Sequence, residues 1–426
     1  MRQRLQTLTE NGHATDKVEY IVKGGTWNAY TLGYQYWYIL ESFLACNDGV
    51  AGRTEPSPYT EHTPVSELQA ALAKAQTINE TAPHRIIGLT LETRPDAISP
   101  KTIWHMRQQG CTRVELGLQA TDDAILALIK RGHTVQQFRD AMLLLRQAGF
   151  KVDLHFMPDL PGSSPAHDVE MYQEIFADEG LRPDMIKIYP NSVIKSAELY
   201  QWFLDGRYVP YGDTPAMSEA LMQMKLATPR YCRISRLIRD IPATEIEGGN
   251  TVTNLREFLE KKLHAQGLKC VCLRCREISR QIKNIPADTE PQLFVDEYET
   301  TGGTEYFITF EDPNRIAVFG FLRLRVPTIP APESLIKHLP VLENTAFIRE
   351  LHVYGRLMSI GQREDSASQH TGLGKQLMAA AEKITRQHGL TKVAVISGVG
   401  VRDYYRHLGY ELQDTYLIKT LTCSQN

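Results

Sequence analysis

Three cysteines stand within one hexapeptide, Cys270-Val271-Cys272-Leu273-Arg274-Cys275. Soft thiolates this close together, in a stretch whose positive charge favours the ionised sulfur, suit zinc in a structural site. A [4Fe-4S] centre also takes thiolates, though usually at wider spacing, and three buried reduced cysteines are the remaining reading. His264 is near enough in sequence to be considered as a fourth ligand, whereas Cys46, Cys111, Cys232 and Cys423 stand alone and read as apolar filler. A second pattern is Gln369-His370-Thr371-Gly372-Leu373-Gly374, followed by Lys375, where bare glycines open a helix. Such a start lets backbone N–H groups approach a pyrophosphate and adds partial positive charge; a plain loop and cap would look the same. In the strand Ile348 to Gly355, Glu350 and His352 alternate with Leu351 and Val353. The two polar side chains therefore share a face, suited to activating a nucleophile or simply to meeting solvent. Tyr404 and Tyr405 are phenols with the acidity to protonate a departing thiolate, or aromatics on a core-facing helix side.

Charge supplies a further pattern. Arg230, Arg233, Arg236 and Arg239 recur every third residue, and Lys261, Lys262, Lys269, Arg274, Arg276, Arg280 and Lys283 follow around the cysteines. Tyr231 is the nearest aromatic and no acidic segment lies nearby in sequence. The pattern is a phosphate-backbone footprint for RNA or DNA, or else a solvated surface.

These residues need elements to hold them. From Val18 to about Ile194 short β-rich runs alternate with helical segments: Val18 to Val22, Ile86 to Leu91, Arg113 to Leu118, Lys151 to Met157 and Met185 to Pro190. That rhythm predicts repeated βα units with parallel strands, part of a (β/α) barrel, whose active face lies beyond the strand C-termini. Gly24 and Gly25, Glu92 to Asp96, Gln119 and Pro158 to Gly162 fall there. An open dinucleotide-binding sheet is the rival, but no G-x-G-x-x-G follows the first strand. Residues 210 to 284 read as a connecting module, and from Pro291 strands around a long helix (about Gly374 to His388) predict an α+β domain. The segment from Gly49 to Pro64 reads as a mobile polar loop.

The 426 residues suffice for two to three domains at about 150 residues each. With 42% hydrophobic and 23% charged residues the chain is an ordinary globular one, and disorder cannot account for most of it. The formal charge of -3 removes the simple basic-protein argument for nucleic acid without describing how charge is distributed. No run approaches the about 20 apolar residues of a membrane span, and the first residues lack a secretory core, so a soluble cytoplasmic protein without a membrane partner is expected.

The strand-loop-helix series ending in VRDYYRHLGYEL resembles the acyl-coenzyme A binding fold of GNAT acetyltransferases, whose Q/R-x-x-G-x-G/A element Gln369 to Gly374 matches. Along the whole chain, DKVEYIVKGGTW, GLTLETRPD, GCTRVELGLQ, RGHTV, AGFKVDLHFMPDLPG, RDIP, GGNTVTNLRE, RELHVYG, QHTGLG and ISGVGVRDYYRHLGY resemble the family of the Elongator catalytic subunit, in its bacterial and archaeal form. This family joins a radical S-adenosylmethionine (SAM) barrel to an acetyltransferase and modifies the wobble uridine of transfer RNA. The resemblance implies a partial TIM-like radical-SAM barrel (residues 1–228), a zinc-bearing basic connector (229–290) and a C-terminal α+β GNAT domain (291–426). It implies tRNA, acetyl-CoA and SAM as partners, zinc at Cys270, Cys272 and Cys275, and no need of further Elongator-like subunits.

The same resemblance gives residues roles. Lys17 would lie near the coenzyme A phosphates, joined by Gln369, Gly372, Leu373, Gly374 and Lys375. Glu350, Leu351, His352 and Val353 would face the pantetheine arm and thioester, with Tyr405 or Tyr404 as acid. Gly24, Gly25, Glu92, Arg94, Glu115 and Gln119 would line the SAM cavity, with Glu92 and Arg94 alternatively tied as an ion pair. Arg230, Arg233, Arg236, Arg239, Lys261, Lys262 and Arg280 would meet RNA. The implied activity is tRNA carboxymethyluridine synthesis with tRNA-triggered acetyl-CoA hydrolysis, a protein lysine acetyltransferase being the alternative. Two departures stand out. The family's cluster-binding cysteine motif does not occur, so an N-terminally shortened form is expected, with the [4Fe-4S] cluster belonging to the intact protein only. Lys23 also replaces an apolar residue before the glycine turn.

Overall fold

The computed structural model describes residues 1–49, 56–239, 241–252, 254–354 and 372–422. Five strands, β1 (Lys17–Val22), β2 (Arg85–Thr93), β3 (Arg113–Gln119), β4 (Lys151–Phe156) and β5 (Met185–Ile188), lie parallel and in sequence order. Helices cross between them, as parallel pairing demands. Most of these helices start from a side-chain cap: Ser99, Thr134 and Ser164 each accept a backbone N–H of the first turn, with Pro100 and Pro165 at the first helical position. β3 is buried over nearly its whole length, so its apolar and polar residues alike sit inside protein.

Beyond β5, β6 (Ser192–Ile194) and β8 (Ile246–Gly249) form a separate antiparallel ribbon. Between them β7 (Arg233–Arg236) pairs parallel with β5 and becomes the sixth strand of the half-barrel. This corrects the sequence reading: residues 233–236 were expected in a connector, yet they close the sheet. Their run is only four residues long and carries three polar side chains, so hydrophobic periodicity gives no strand signal there.

A second, seven-stranded sheet has the order β14-β15-β13-β12-β11-β10-β9. Its strands are β9 (Gln292–Thr300), β10 (Gly303–Glu311), β11 (Val318–Pro327), β12 (Ala346–Val353), β13 (Lys392–Val395), β14 (Glu411–Gln413) and β15 (Tyr416–Thr420). The pairs are antiparallel except β12 with β13. The helix Leu373–Gln387 buries Leu373, Leu377, Met378 and Ala381 against this sheet. The two units share a core: Phe347, Ile396, Val399 and Tyr416 of the second join the apolar cluster of the first. An added Cβ at Gly149 would lie 2.9 Å from the Phe347 ring, and one at Gly398 would collide with the Ile87 carbonyl, so glycine is what permits this close docking.

Candidate functional site

Alternation along the half-barrel strands turns one side chain in two into the lumen. On β3 and β4 these are Arg113, Glu115, Lys151, Asp153 and His155, and β5 adds Lys187. Lys187 donates to Glu115, whose Oε2 also lies 3.2 Å from His155 Nε2; Lys187 Nζ is 3.7 Å from Asp153. His155 Nδ1 stands 3.9 Å from Glu92 on β2, and Ser235 of β7 donates to Asp153 at 3.2 Å. Burial alone would push the Glu115 carboxyl up, but His155 and Lys187 hold it at about 2. Asp153, with burial dominant, is raised; Lys187 is raised as its carboxylate neighbours outweigh burial. Asp153, His155 and Lys187 were missed in sequence, although Asp153 and His155 at alternate positions of an apolar strand are the signal that marks a polar lumen.

The expected cofactor residues flank this cluster. Gly24 and Gly25 adopt φ of 117° and 143°, a region open to glycine, and Gln119 is bent to φ 73°. Gln119 Oε1, Thr93 Oγ1 and both ring nitrogens of His133 are buried without a hydrogen-bond partner. A polar ligand at the mouth would satisfy such groups. Arg94 does not pair with Glu92 as one sequence reading had it. It donates to Asp96 at 2.8 and 2.9 Å and to the Gly132 carbonyl at 3.2 Å, because Glu92 points to the lumen one pleat away.

At the opposite, N-terminal end of the lumen a cavity of about 340 Å³ lies between the two units. Thr90, Arg113 and Met185 of the barrel line it together with Glu350, Leu351, His352 and Tyr405 of the second sheet. Its shape follows from a bulge. Arg323 is opposite Glu350 but Leu324 opposite Ile348, so Arg349 is the extra residue in β12. β13 pairs only with Ala346, Phe347 and Ile348, and beyond them the two strands part, leaving the Leu351 to Val353 edge toward the cleft. Gly372 caps the adjacent helix at φ 118°, and Gly374 lies so close to Tyr404 that a Cβ would be 2.6 Å from its hydroxyl. Lys375 is exposed on the first turn. Gln369, with His370 and Thr371, falls outside the described residues.

Tyr405 is buried and faces the cavity; burial raises its phenol well above the ordinary value. Tyr404 is half-exposed and meets Tyr405 edge-on, with ring centroids 5.2 Å apart. Glu350 and His352 both line the cavity, in different settings. Glu350 is bound by Lys151 and by Arg323 Nε at 2.9 Å, which overcome burial and hold it at about 2. His352 is open to the cavity, packs on Phe321 and Tyr354, and is lowered by the surrounding protein. Lys17 begins β1 opposite Arg85, whose Cβ packs against Gly400 of the second unit.

Ligand sulfurs of Cys270, Cys272 and Cys275 lie within 4.8 Å of one another. A tetrahedral ion with bonds of about 2.3 Å spaces its sulfurs by roughly 3.8 Å. The triad therefore fits one zinc-sized ion, whereas a cubane cluster spreads its thiolates wider. Among the described residues no histidine or carboxylate lies within 4.8 Å of all three sulfurs; His264 and Glu260 line the cavity onto which Cys270 and Cys275 open, and Glu260 Oε1 is 3.9 Å from Cys275 Sγ. Cys46, Cys111 and Cys232 are fully buried; Cys232 lies beside the triad segment, its carbonyl accepting the Leu273 N–H at 2.9 Å, without its sulfur joining the group, and Cys423 lies outside the described residues.

The basic series is only partly open. Arg230 pairs with Glu311 at 3.0 Å, Arg233 with Glu277 at 2.8 Å, and Arg276 is buried against Glu311. The expected lack of compensating acid is thus corrected: Glu311 reaches the series only through tertiary folding, and Glu277 through the turn after the cysteines. Lys261 and Arg280 stay exposed beside Glu257 and Glu277, Lys262 covers the Phe258 ring, and Arg239 lies 6.0 Å from the Tyr189 ring centroid. Tyr231 is buried, stacked on Tyr298 at 3.8 Å, and offers no face to a base.

A parallel half-barrel with a polar lumen and an open C-terminal mouth is the architecture of radical SAM enzymes. Residues 57–175 match the model of the radical SAM superfamily and residues 183–265 that of the Radical_SAM C-terminal domain. The chain is 42% identical over 419 residues to a tRNA uridine(34) acetyltransferase of Dehalococcoides mccartyi, covering 98% of this chain and 86% of that one. It is 35% identical to human Elongator complex protein 3, covering 99% of this chain and 73% of the other. The archaeal Methanocaldococcus infernus Elp3 structure with an N-terminal deletion superposes with a TM-score of 0.87 at 40% identity, covering 99% of this chain and 94% of that one. The chain belongs to this family of tRNA uridine(34) acetyltransferases and Elongator complex protein 3, and it is a transferase.

Proposed function

We propose that this chain serves carboxymethyl modification of carbon 5 of the wobble uridine in tRNA, holding acetyl-CoA in the cleft between β12 and β13 and SAM at the barrel mouth, while the radical step belongs to a form that holds the [4Fe-4S] cluster. The single cavity that joins the β12 edge to the barrel lumen carries this reading, because an acyl group held on β12 then faces the half-barrel. In this assignment the second unit is the GNAT domain and the Cys270, Cys272 and Cys275 segment its zinc-bearing neighbour.

The splayed β12 edge offers backbone groups to a pantetheine arm, and the helix opening at Gly372 offers N–H groups to the pyrophosphate. Lys17, at the same rim, adds a positive charge. Release of the acetyl group by water is hydrolysis of a thioester. His352, whose imidazole is lowered chiefly by desolvation, takes a proton from the attacking water, and Tyr405, whose phenol burial raises, gives one to the departing thiolate. Acetic acid and free coenzyme A result. Glu350 acts by holding Lys151 and Arg323 at the cavity wall, and Tyr404 by supporting Tyr405.

At the mouth, Gly24 and Gly25 admit a ligand close to the backbone, and Glu92, Arg94, Glu115 and Gln119 bracket it. When bound together with a reduced iron–sulfur cluster, SAM would supply radical chemistry at this mouth. The cysteines described in this chain do not fit that cluster, and no step through it is assigned here. RNA meets the exposed members of the basic series, Arg236, Arg239, Lys261, Lys262 and Arg280, without further subunits. A protein lysine acetyltransferase is less well served, since the barrel covers the acyl end of the cleft. The test is thiol release from acetyl-CoA with and without tRNA at low salt. Several-fold acceleration by tRNA is expected, and an unchanged rate overturns the proposal.

A further inference from the structure

Directly after the Gly24-Gly25 turn the chain reads Trp27, Tyr30, Tyr34, Trp37 and Tyr38. In the structure Tyr30 stacks on Tyr34 with centroids 4.9 Å apart and planes 30° apart, and Tyr34 stacks on Tyr38 at 5.8 Å and 25°. The three rings, four residues apart, form a near-parallel column along the start of the helix Leu32–Asn47. Its base is fixed. Trp27, buried, donates to Gln109 at 2.9 Å and meets both Tyr30 and Tyr38 edge-on or tilted; Gln35 donates to the Tyr30 carbonyl at 2.8 Å, and Thr31 caps the helix. Its outer end is open, for Tyr30 is 48% exposed.

A stack of held rings ending in an exposed one is extended best by another planar π-face, and the ordering cost of the platform is already met by the fold. The position selects among such faces. Tyr30 follows β1 at the barrel mouth, and Lys23, directly after β1, lies within electrostatic reach of Glu115 and Lys187 in the lumen and of Arg236 on β7, the opposite edge strand of the half-barrel. Arg239 lies just beyond β7. An aromatic face beside positive charge suits a nucleobase with its phosphate better than a neutral aromatic side chain.

We propose that the Tyr30, Tyr34 and Tyr38 column is a stacking platform for an unpaired nucleobase next to the modified one. The inference rests on the RNA-modifying reading above and adds the surface that splays the loop open.

The test uses the full chain and a fluorescein-labelled anticodon stem-loop RNA, followed by anisotropy at fixed low salt. Tyr30→Ala is expected to weaken binding about tenfold, and Tyr30→Leu, which keeps the apolar bulk, to weaken it similarly, while Tyr30→Phe binds as the parent does. The parent should lose the same affinity for a loop whose bases are removed, and Tyr30→Ala should then lose nothing further. Equal binding of the intact loop by the parent, Tyr30→Ala and Tyr30→Leu overturns the platform alone. Failure of the parent to bind the hairpin overturns the RNA reading and the platform with it.

Discussion

Arg349, the bulge residue of β12, places its guanidinium against Asp184, which precedes β5, with contacts of 2.7 and 2.8 Å between fully buried side chains. The same guanidinium reaches Glu305 at 2.7 Å and the Phe150 carbonyl at 2.9 Å. Arg146 joins Asp184 at 2.9 Å, and Arg325 joins Glu305 at 3.1 Å. One residue thus opens the acyl cleft and pins the second sheet to the barrel. Removing it takes one arginine from each of two buried carboxylates, leaving Arg146 and Arg323 on Asp184 and Arg325 on Glu305, and breaks the network at a cost of up to about 3–5 kcal/mol. Arg349→Ala should lower the thermal midpoint sharply, and Arg349→Ala with Asp184→Asn should cost less than the sum of the single changes. Additive losses in denaturant titrations would remove the coupling.

Tyr405→Phe deletes the proposed proton donor while keeping the ring. Acetyl-CoA hydrolysis should fall about 10²-fold or more with little change in coenzyme A affinity. Tyr404→Phe, on a half-exposed supporting ring, should change the rate only a few-fold. Equal rates for the parent and Tyr405→Phe in a thiol-release assay would rule the phenol out as the acid.

Gly372→Ala puts a side chain where φ is 118° and strains the helix start that faces the cleft. A stability loss of about 1–2 kcal/mol is expected, with weaker coenzyme A binding by calorimetry. Binding unchanged from the parent would show that this helix start does not contact the coenzyme.

Acid should loosen the joint between the two units. Glu350 is held at about 2, below the roughly 4.3 of a free glutamate. The folded state therefore gains stability that is fully present above about pH 4.3 and is lost as pH falls towards 2, amounting to roughly 3 kcal/mol. Lys151→Met should shrink that acid-labile part. Chemical denaturation between pH 5 and 3 would show a parent and variant with parallel profiles if the pair contributes nothing.

The cysteine triad should hold about one zinc ion per chain, and strong chelation should lower the thermal midpoint. Cys272→Ser should lose the metal and show no further effect of the chelator. Metal analysis finding iron and labile sulfide in the triad instead would refute the zinc assignment.

Much of this was legible in the residues. The βα rhythm gave five of the six barrel strands, because buried parallel strands are nearly continuous apolar runs. The hexapeptide gave the three clustered cysteines, since their spacing is local. Gly372 and Gly374 were legible for the same reason, as backbone conformation and close approach leave a glycine in the sequence. The sequence could not show that β7 returns to the first sheet, because strand pairing over this distance is decided by which edge remains open. It could not show that Glu277 and Glu311 pair with Arg233 and Arg230, or that Lys151 and Arg323 bind Glu350. Those are facts about neighbours in space, and the energy of a charge depends on its neighbours and its burial far more than on its own type. Local spacing determined what chemistry the chain carries; only the docking of the second sheet beneath the half-barrel decided which groups are free to perform it.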